Sequence, residues 1–368
     1  MNKKYLILLL SCLCSHCAGQ TLANSDVIRI LKSEPDTVMD VLQCDKPWEL
    51  KFDYATILKT DSCYVMYYRV RSSKHSPKLS YCRAVSEDGL HWAKPDVGIV
   101  DFNGSRDNNI VSDIVDGVAV EYVNGVYWLL SDRTYVENSQ KRGLVMYCSD
   151  DGIHFERYEK FVVPYFCDSQ NCFFWDSTTN TFKIYLRSWY KSQNPKIDYH
   201  HTHRLYRGVS LLEIPSLDYT LPIGNKPLKL SGKTEPPSIS KELPMVIMNR
   251  SKSEDFDIYG GYVHKYRDNL YIAYPINYYH TDDKKRGGER NNDGYATIGF
   301  WTSNDGRSFK EVKRDYMTDG KNWMEFCIGH IETEEMFVHY YITFNGTHVR
   351  QTWNNAIRAR IHYKNRKR

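Results

Sequence analysis

Ser86-Glu87-Asp88-Gly89-Leu90-His91-Trp92 is the first of three copies of one pattern in the chain. The pattern returns at Ser149 to Phe155 and at Ser303 to Phe309, each time as Ser, any residue, Asp, Gly, two variable residues and an aromatic residue. In such a stretch the Asp side chain accepts hydrogen bonds from amides of its own turn, the Gly supplies a positive φ, and the aromatic ring packs back against the sheet. Because a residue repeated in every module rarely serves one reaction, the pattern predicts a structural turn.

The spacing of these turns indicates a repeating unit. The first two copies start 63 residues apart, and a degraded copy, Gly208-Val209-Ser210, places its Ser 61 residues after the second. The next copy follows 93 residues later, after a polar, proline-rich stretch from Pro215 to Ser253 that we interpret as an extended connection. A unit of about sixty residues with roughly four strands is typical of a propeller blade. With a last unit from Trp323 onward, the sequence predicts an all-β, five-bladed β-propeller over residues 45–368.

The region before the propeller is predicted to contain an export signal and a helix. Asn2-Lys3-Lys4 is a basic segment, an apolar run follows from Tyr5 to Leu10, and small residues surround Ala18-Gly19, which together indicate a signal peptide over residues 1–19. The apolar run is far shorter than the roughly 20 residues of a membrane span. We expect a periplasmic or secreted protein, with a lipid anchor on Cys12 of Leu9-Leu10-Ser11-Cys12 as the alternative. In the lead-in segment, 20–44, apolar spacing predicts a helix from Asp26 to Leu42.

Composition restricts the partners and the cysteine chemistry. The 368-residue protein is 41% hydrophobic and has a formal charge of only +4, and its one dense basic run is the tail from Arg358 to Arg368, so we expect no nucleic-acid partner. Without Cys12, Cys14 and Cys17 of the signal segment, an odd number of cysteines remains, in apolar strand-like runs. They are interpreted mainly as free buried thiols.

A second repeat concerns carboxylates. A carboxylate comes before or at the start of each candidate innermost strand, namely Asp53, Asp116, Asp168, Asp257 and Glu325. Several carboxylates at one mouth repel each other, so some of their pKa values must rise. A protonated carboxyl beside an ionised one is the equipment for cleaving glycosidic bonds. The alternatives are that each carboxylate caps its own strand, or that the group binds calcium in the central channel.

Other polar and aromatic residues are expected at the same mouth. Glu49, Arg187 and His264 are candidate substrate-binding residues, and Arg187 between aromatic residues could hold an anionic group. Tyr259 and Trp323 could stack on sugar rings, although core packing is the more common role of such rings.

The segment from residue 81 to 111, which contains Lys94-Pro95 and Asn108-Asn109-Ile110-Val111, resembles exported bacterial relatives of the five-bladed propeller glycosidases of families 32 and 43. The flanking segments Met66-Tyr67-Tyr68-Arg69 and Asp168-Ser169-Gln170-Asn171 extend the resemblance. It implies a funnel-shaped site with three acidic residues. By position these are Asp53 on the first blade, Asp168 on a later inner strand, and Glu325 as a proton donor. The Trp-Met-Asn-Asp-Pro, Arg-Asp-Pro and Glu-Cys motifs of fructan-cleaving members are absent.

These observations predict a glycoside hydrolase that acts on oligosaccharides derived from polysaccharides, with catalytic residues Asp53, Asp168 and Glu325 and no cofactor. One alternative is a noncatalytic carbohydrate-binding propeller. Another is a glycoside phosphorylase, which would need a basic phosphate pocket, with Arg187, Arg204 and Arg207 as its clustered candidates.

Overall fold

The computed structural model describes residues 22–72, 79–113, 116–134, 142–163, 167, 169–191, 205–218, 245–248, 256–280 and 293–365. Within these ranges there is one helix, α1 (Asn24–Lys32), and all other extended elements are β-strands. The predicted all-β class is confirmed.

The strands form four-stranded antiparallel units in which strands adjacent in sequence pair with each other. The first unit contains β2 (Lys51–Lys59), β3 (Tyr64–Arg71), β4 (Leu79–Ser86) and β5 (Ile110–Ser112). The second contains β6 (Ala119–Val123), β7 (Val126–Thr134), β8 (Arg142–Ser149) and β9 (Glu156–Val163). The third contains β10 (Cys172–Asp176), β11 (Thr181–Lys191), β12 (Leu205–Ile214) and β13 (Met245–Met248). The fourth contains β14 (Phe256–Arg267), β15 (Leu270–His280), β16 (Gly294–Ser303) and β17 (Lys310–Met317).

The remaining unit contains β18 (Trp323–Glu332), β19 (Met336–Phe344), β20 (Ala356–Tyr363) and the N-terminal strand β1 (Thr37–Gln43). β1 pairs antiparallel with β20, with Thr37 opposite Ile361. One parallel bridge, between Ile328 and Thr56, joins β18 to β2, so this unit and the first form a single eight-stranded sheet. Segments near both ends of the described sequence therefore contribute to one sheet.

The first strand of each unit lies at the centre of the molecule. β2 contacts β6, β6 contacts β10, β10 contacts β14, β14 contacts β18, and β18 returns to β2. β2 and β14 are buried along almost their whole length, as their apolar and aromatic sequences require for strands covered on both faces. Residues at the start of these strands therefore lie near one another although they are far apart in sequence.

The predicted structural turn is confirmed in all three copies. In the copy at Ser149, the Asp151 carboxylate accepts hydrogen bonds of 2.8 Å from the amides of Ile153 and His154. The amide of Gly152, at φ 72°, donates to Ser149 Oγ at 2.9 Å. The copies that begin at Ser86 and Ser303 have the same bonds. Each turn follows the third strand of its unit.

These turns also fasten neighbouring units to each other. A tyrosine on the second strand of the adjacent unit donates its hydroxyl to the carbonyl of the turn glycine, in the pairs Tyr67–Gly152 (2.6 Å), Tyr185–Gly306 (2.9 Å) and Tyr340–Gly89 (2.6 Å). The turn aromatic lies edge-on to the same tyrosine, with ring centroids 5.9 to 6.4 Å apart. We call each such pair a tyrosine clasp. The sequence predicted that the ring packs on its own sheet, whereas it contacts the tyrosine of the neighbouring unit.

Three other sequence predictions are corrected. The helix ends at Lys32, and residues 37–43 form β1. Gly208-Val209-Ser210 is not a degraded turn, because it lies inside β12, where Ser210 is fully buried. The stretch from Pro215 to Ser253 is not only a connection, since it contains β13.

All seven cysteines of the described residues are free, as predicted. Among the described residues no helix has the length and apolar character needed to cross a membrane. The predicted signal segment lies outside these residues.

Candidate active site

Asp53 is a buried carboxylate near the start of β2, surrounded by cations. Its oxygens lie 3.0 Å from Lys51 Nζ, 3.1 Å from Arg69 and 3.3 Å from Arg71. Burial alone would raise the pKa of Asp53, but the charges of Arg69, Lys51 and Arg71 outweigh it and lower that pKa. Asp53 is therefore held in its ionised form.

The backbone next to Asp53 is distorted. Tyr54 has a φ of 44°, and the pairing of β2 with β3 shifts between Asp53 and Ala55. This bulge directs the Tyr54 amide to Glu325 Oε2, at 3.3 Å. Backbone strain of this kind costs about 1 to 3 kcal/mol and concentrates at functional sites.

Glu325, the third residue of β18, is the protonated partner of Asp53. Trp323 Nε1 donates to its Oε1 at 3.0 Å, and only 5% of the residue is exposed. Burial, and then the negative charge of Asp53, raises the pKa of Glu325. Two carboxyls whose surroundings move their pKa values in opposite directions are suited to act as an acid and a base.

Asp116 joins this pair through Arg69. One guanidinium nitrogen of Arg69 contacts Asp53, and the other lies 2.6 Å from Asp116. Asp116 also accepts the Gly117 amide at 2.7 Å, and its side chain is 36% exposed. Arg69 therefore ties the start of β2 to the segment that leads into β6.

Aromatic rings and arginines form the adjacent wall. The ring of Tyr259 lies 4.8 Å from that of Trp323 and 4.1 Å from the guanidinium of Arg187. Arg187 also donates to the Tyr259 carbonyl at 3.1 Å. Trp323 is fully buried, so it supports Glu325 rather than offering the stacking surface that the sequence suggested.

Asp257 lies in this wall as part of an ion pair. It is fully buried, 3.1 Å from Arg207 and 3.2 Å from His280 Nε2. The guanidinium of Arg207 also lies 5.7 Å from the Tyr259 ring. Asp257 thus holds Arg207 beside Tyr259 and Arg187.

Glu49 lies in a different cluster from Asp53. It accepts hydrogen bonds from Lys94 Nζ at 2.6 Å and from the Tyr68 hydroxyl at 2.7 Å. Burial raises its pKa. Its bonds connect the first unit internally, so its position differs from the mouth position that was expected.

His264 also lies away from the carboxylates. It lines a cavity of about 300 Å³ formed by the later parts of all five central strands, together with residues such as Glu121 and His330. Burial lowers the pKa of His264, and the nearby His330 lowers it further. Glu121, which the sequence did not single out, has its pKa raised to about 8 by burial. This cavity is at the opposite end of the strands from Asp53 and Glu325.

Two predictions cannot be placed, and one class of residue was missed. Asp168 and Arg204 lie outside the described residues. The cations around Asp53 were missed, although the hairpin register that pairs Asp53 with Arg69 could have indicated one of them. Within the described ranges no three His, Cys, Asp or Glu side chains are arranged to hold a metal ion. That the protein needs no cofactor stays a prediction.

The comparisons with known proteins identify the fold. No protein-family model and no curated protein matches the sequence. A structure described as a complex of BT0996 and RGII is similar with a TM-score of 0.56 at 12% identity, covering 92% of this protein and 96% of that one. A structure described as a glycoside hydrolase gives 0.55, 12%, 92% and 96%. A mannose phosphorylase from Leishmania mexicana, in complex with phosphate ion, gives 0.50, 8%, 90% and 91%. The resemblance to glycosidase-like proteins is thus confirmed, and at these identities it is a likeness of fold.

Proposed function

We propose that this protein is a five-bladed β-propeller glycoside hydrolase that cleaves oligosaccharides derived from polysaccharides. The observation that carries the proposal is the pairing of an ionised Asp53 with a protonated Glu325 at the start of adjacent central strands. The five-bladed arrangement is supported by the closed series of contacts among β2, β6, β10, β14 and β18.

Glu325 is assigned as the general acid. A carboxyl whose pKa is raised keeps its proton above the pH at which a free glutamate loses it, and it can then protonate the leaving glycosidic oxygen. The Trp323 indole and the Tyr54 amide fix the orientation of both carboxyl oxygens. Each oxygen keeps a second lone pair, which leaves a position for the acidic proton.

Asp53 is assigned as the ionised partner, which either activates water or attacks the anomeric carbon. Lys51, Arg69 and Arg71 keep it charged and fix its orientation. They also spread its charge, so substrate has to weaken at least one of these ion pairs for Asp53 to react. Arg71, 36% exposed, is the most accessible of the three. The third acid, Asp168, is retained as a proposal from the sequence.

The test begins with a screen of the purified protein against RGII oligosaccharides and 4-nitrophenyl glycosides, with and without phosphate. On a substrate that is cleaved, Glu325→Gln and Asp53→Asn should each lower kcat by at least the ~100-fold typical of general acid–base loss. Turnover should rise with pH as Asp53 ionises and fall again as pH passes the raised pKa of Glu325. A wild-type rate in either variant would refute the assignment.

Glu121→Gln is the matched control. Glu121 is also a carboxyl with a raised pKa on a central strand, but it lies at the other end of these strands. This variant should keep kcat within about twofold, because its carboxyl is not at the reacting end. A loss as large as that of Glu325→Gln would place the chemistry in the other cavity.

A glycoside phosphorylase is the second candidate. It is favoured by the convergence of Arg187 and Arg207 on the ring of Tyr259, which provides two guanidinium groups beside the carboxylates. In the screen this activity would require phosphate and release a sugar phosphate. Binding of glycans without turnover under either condition would instead support the noncatalytic alternative.

A further inference from the structure

The connection between β19 and β20, residues 345–355, crosses the end of the molecule where Asp53 and Glu325 lie. We call it the bridging loop. On one side its His348 amide donates to the Gly294 carbonyl at 2.7 Å, and its Val349 amide to Asp293 at 3.0 Å. On the other side its Asn354 amide donates to the Leu50 carbonyl at 2.9 Å. It therefore connects the fourth unit to the first.

The middle of the loop is fastened to the candidate active site itself. The Trp323 amide donates to the Gly346 carbonyl at 2.7 Å, two residues before Glu325. Lys51, a partner of Asp53, donates to Gln351 at 2.5 Å. The His348 ring packs 4.5 Å from that of Trp323. These contacts fix the backbone of the loop relative to both carboxyls.

Trp353 projects from this fixed backbone into solvent. It is 40% exposed, and it lies between Gln351, which is bonded to Lys51, and Asn354, which is bonded to Leu50. Asn355 holds the next step of β2 through reciprocal bonds with the Phe52 backbone, at 2.8 and 2.9 Å. A large apolar ring that is kept in water on a rigid segment beside a polar site is a suitable surface for binding a ligand face.

We propose that Trp353 is a specificity residue that stacks on a second sugar ring, next to the ring held by Asp53 and Glu325. The substrate class is then an oligosaccharide of at least two units. This inference rests on the proposed function, since it needs a sugar at the carboxylates.

The experiment compares a long and a short substrate in the Trp353→Ala variant. For RGII oligosaccharides of two or more units, KM should rise about tenfold with kcat nearly unchanged, because the stacked ring contributes to binding and not to the bond that breaks. For the 4-nitrophenyl glycoside of the terminal sugar, both constants should stay within about twofold. Trp353→Phe should restore most of the affinity for the long substrate.

Tyr363→Ala is the matched control. Tyr363 is an exposed aromatic residue, at 44%, at the far end of β20, roughly 20 Å or more from Trp353 by strand rise. This variant should match the wild type on both substrates.

The outcomes separate the two proposals. If the wild type is active and Trp353→Ala matches Tyr363→Ala on the long substrate, stacking by Trp353 is refuted and the hydrolase proposal stands. If both substrates lose activity equally, Trp353 positions the carboxyls, which also overturns the stacking role. If the wild type neither cleaves nor binds any of these glycans, both proposals fail.

Discussion

The tyrosine clasps predict a measurable stability that neighbouring units share. Tyr67→Phe, Tyr185→Phe and Tyr340→Phe each remove one hydroxyl donor and leave a turn-glycine carbonyl without it, while the ring contact is kept. A buried hydrogen bond whose partner is left unsatisfied costs about 1 to 2 kcal/mol. Because the three sites lie in different parts of the molecule, the costs should add, to about 3 to 6 kcal/mol in the triple variant.

The assay is urea unfolding followed by tryptophan fluorescence, with Tyr278→Phe as the control. Tyr278 is fully buried, and its hydroxyl has no hydrogen-bond partner among the described residues, so its removal should cost almost nothing. Each clasp variant should have a lower midpoint than this control, with an unchanged slope. If the three clasp variants unfold at the same urea concentration as Tyr278→Phe, the clasps do not stabilise the unit interfaces.

Three further predictions concern the turns, the contact between β18 and β2, and pH. Asp151→Ala should lower the free energy of unfolding by about 1 to 2 kcal/mol through its lost amide bonds, while the neighbouring Asp150→Ala should be neutral, and turnover of the folded protein should be unchanged. Gly329→Ala should prevent normal folding, because a Cβ there would lie 1.8 Å from the Ile57 carbonyl oxygen at φ 86°, whereas Gly98→Ala, at φ 72° with no neighbour within 4 Å, should cost only about 1 kcal/mol of strain in thermal melts. Burial lowers the pKa of His330 to about 4, below its unfolded value near 6.5, so stability should fall by up to about 1.4 kcal/mol per pH unit as pH decreases between these values, and His330→Gln should flatten that slope in urea titrations.

The parts of the fold that depend on local chemistry could be predicted from the sequence. The turns were predictable because Ser149, Asp151 and Gly152 form their bonds within a few residues, so residue types and spacing contain the whole pattern. β1 was not, since Val38 and Leu42 fit a helical spacing, and its strand form depends on β20, more than three hundred residues later. The clasp partners were missed for the same reason.

For the site, the sequence located the carboxylates but not what surrounds them. Asp53 and Glu325 were placed near each other because both start central strands, and the Tyr54 amide links them. His264 could have been excluded from this end, because it lies seven residues after Asp257 on one strand, about 23 Å by strand rise. The pKa directions could not be predicted, since they depend on the burial of Glu325 and on cations such as Arg69.

The pairing of β1 with β20 has a consequence for synthesis of the protein. A ribosome releases Thr37 long before Ile361, its partner, so β1 has no strand to join until almost the whole protein has been made. The first four units can assemble from segments already released, but joining the two ends adds the entropy cost of closing a loop of more than three hundred residues. Closure is therefore the last step of folding, and until it occurs the nascent protein exposes the unpaired edges of β2 and β20 to any chaperone or neighbouring molecule.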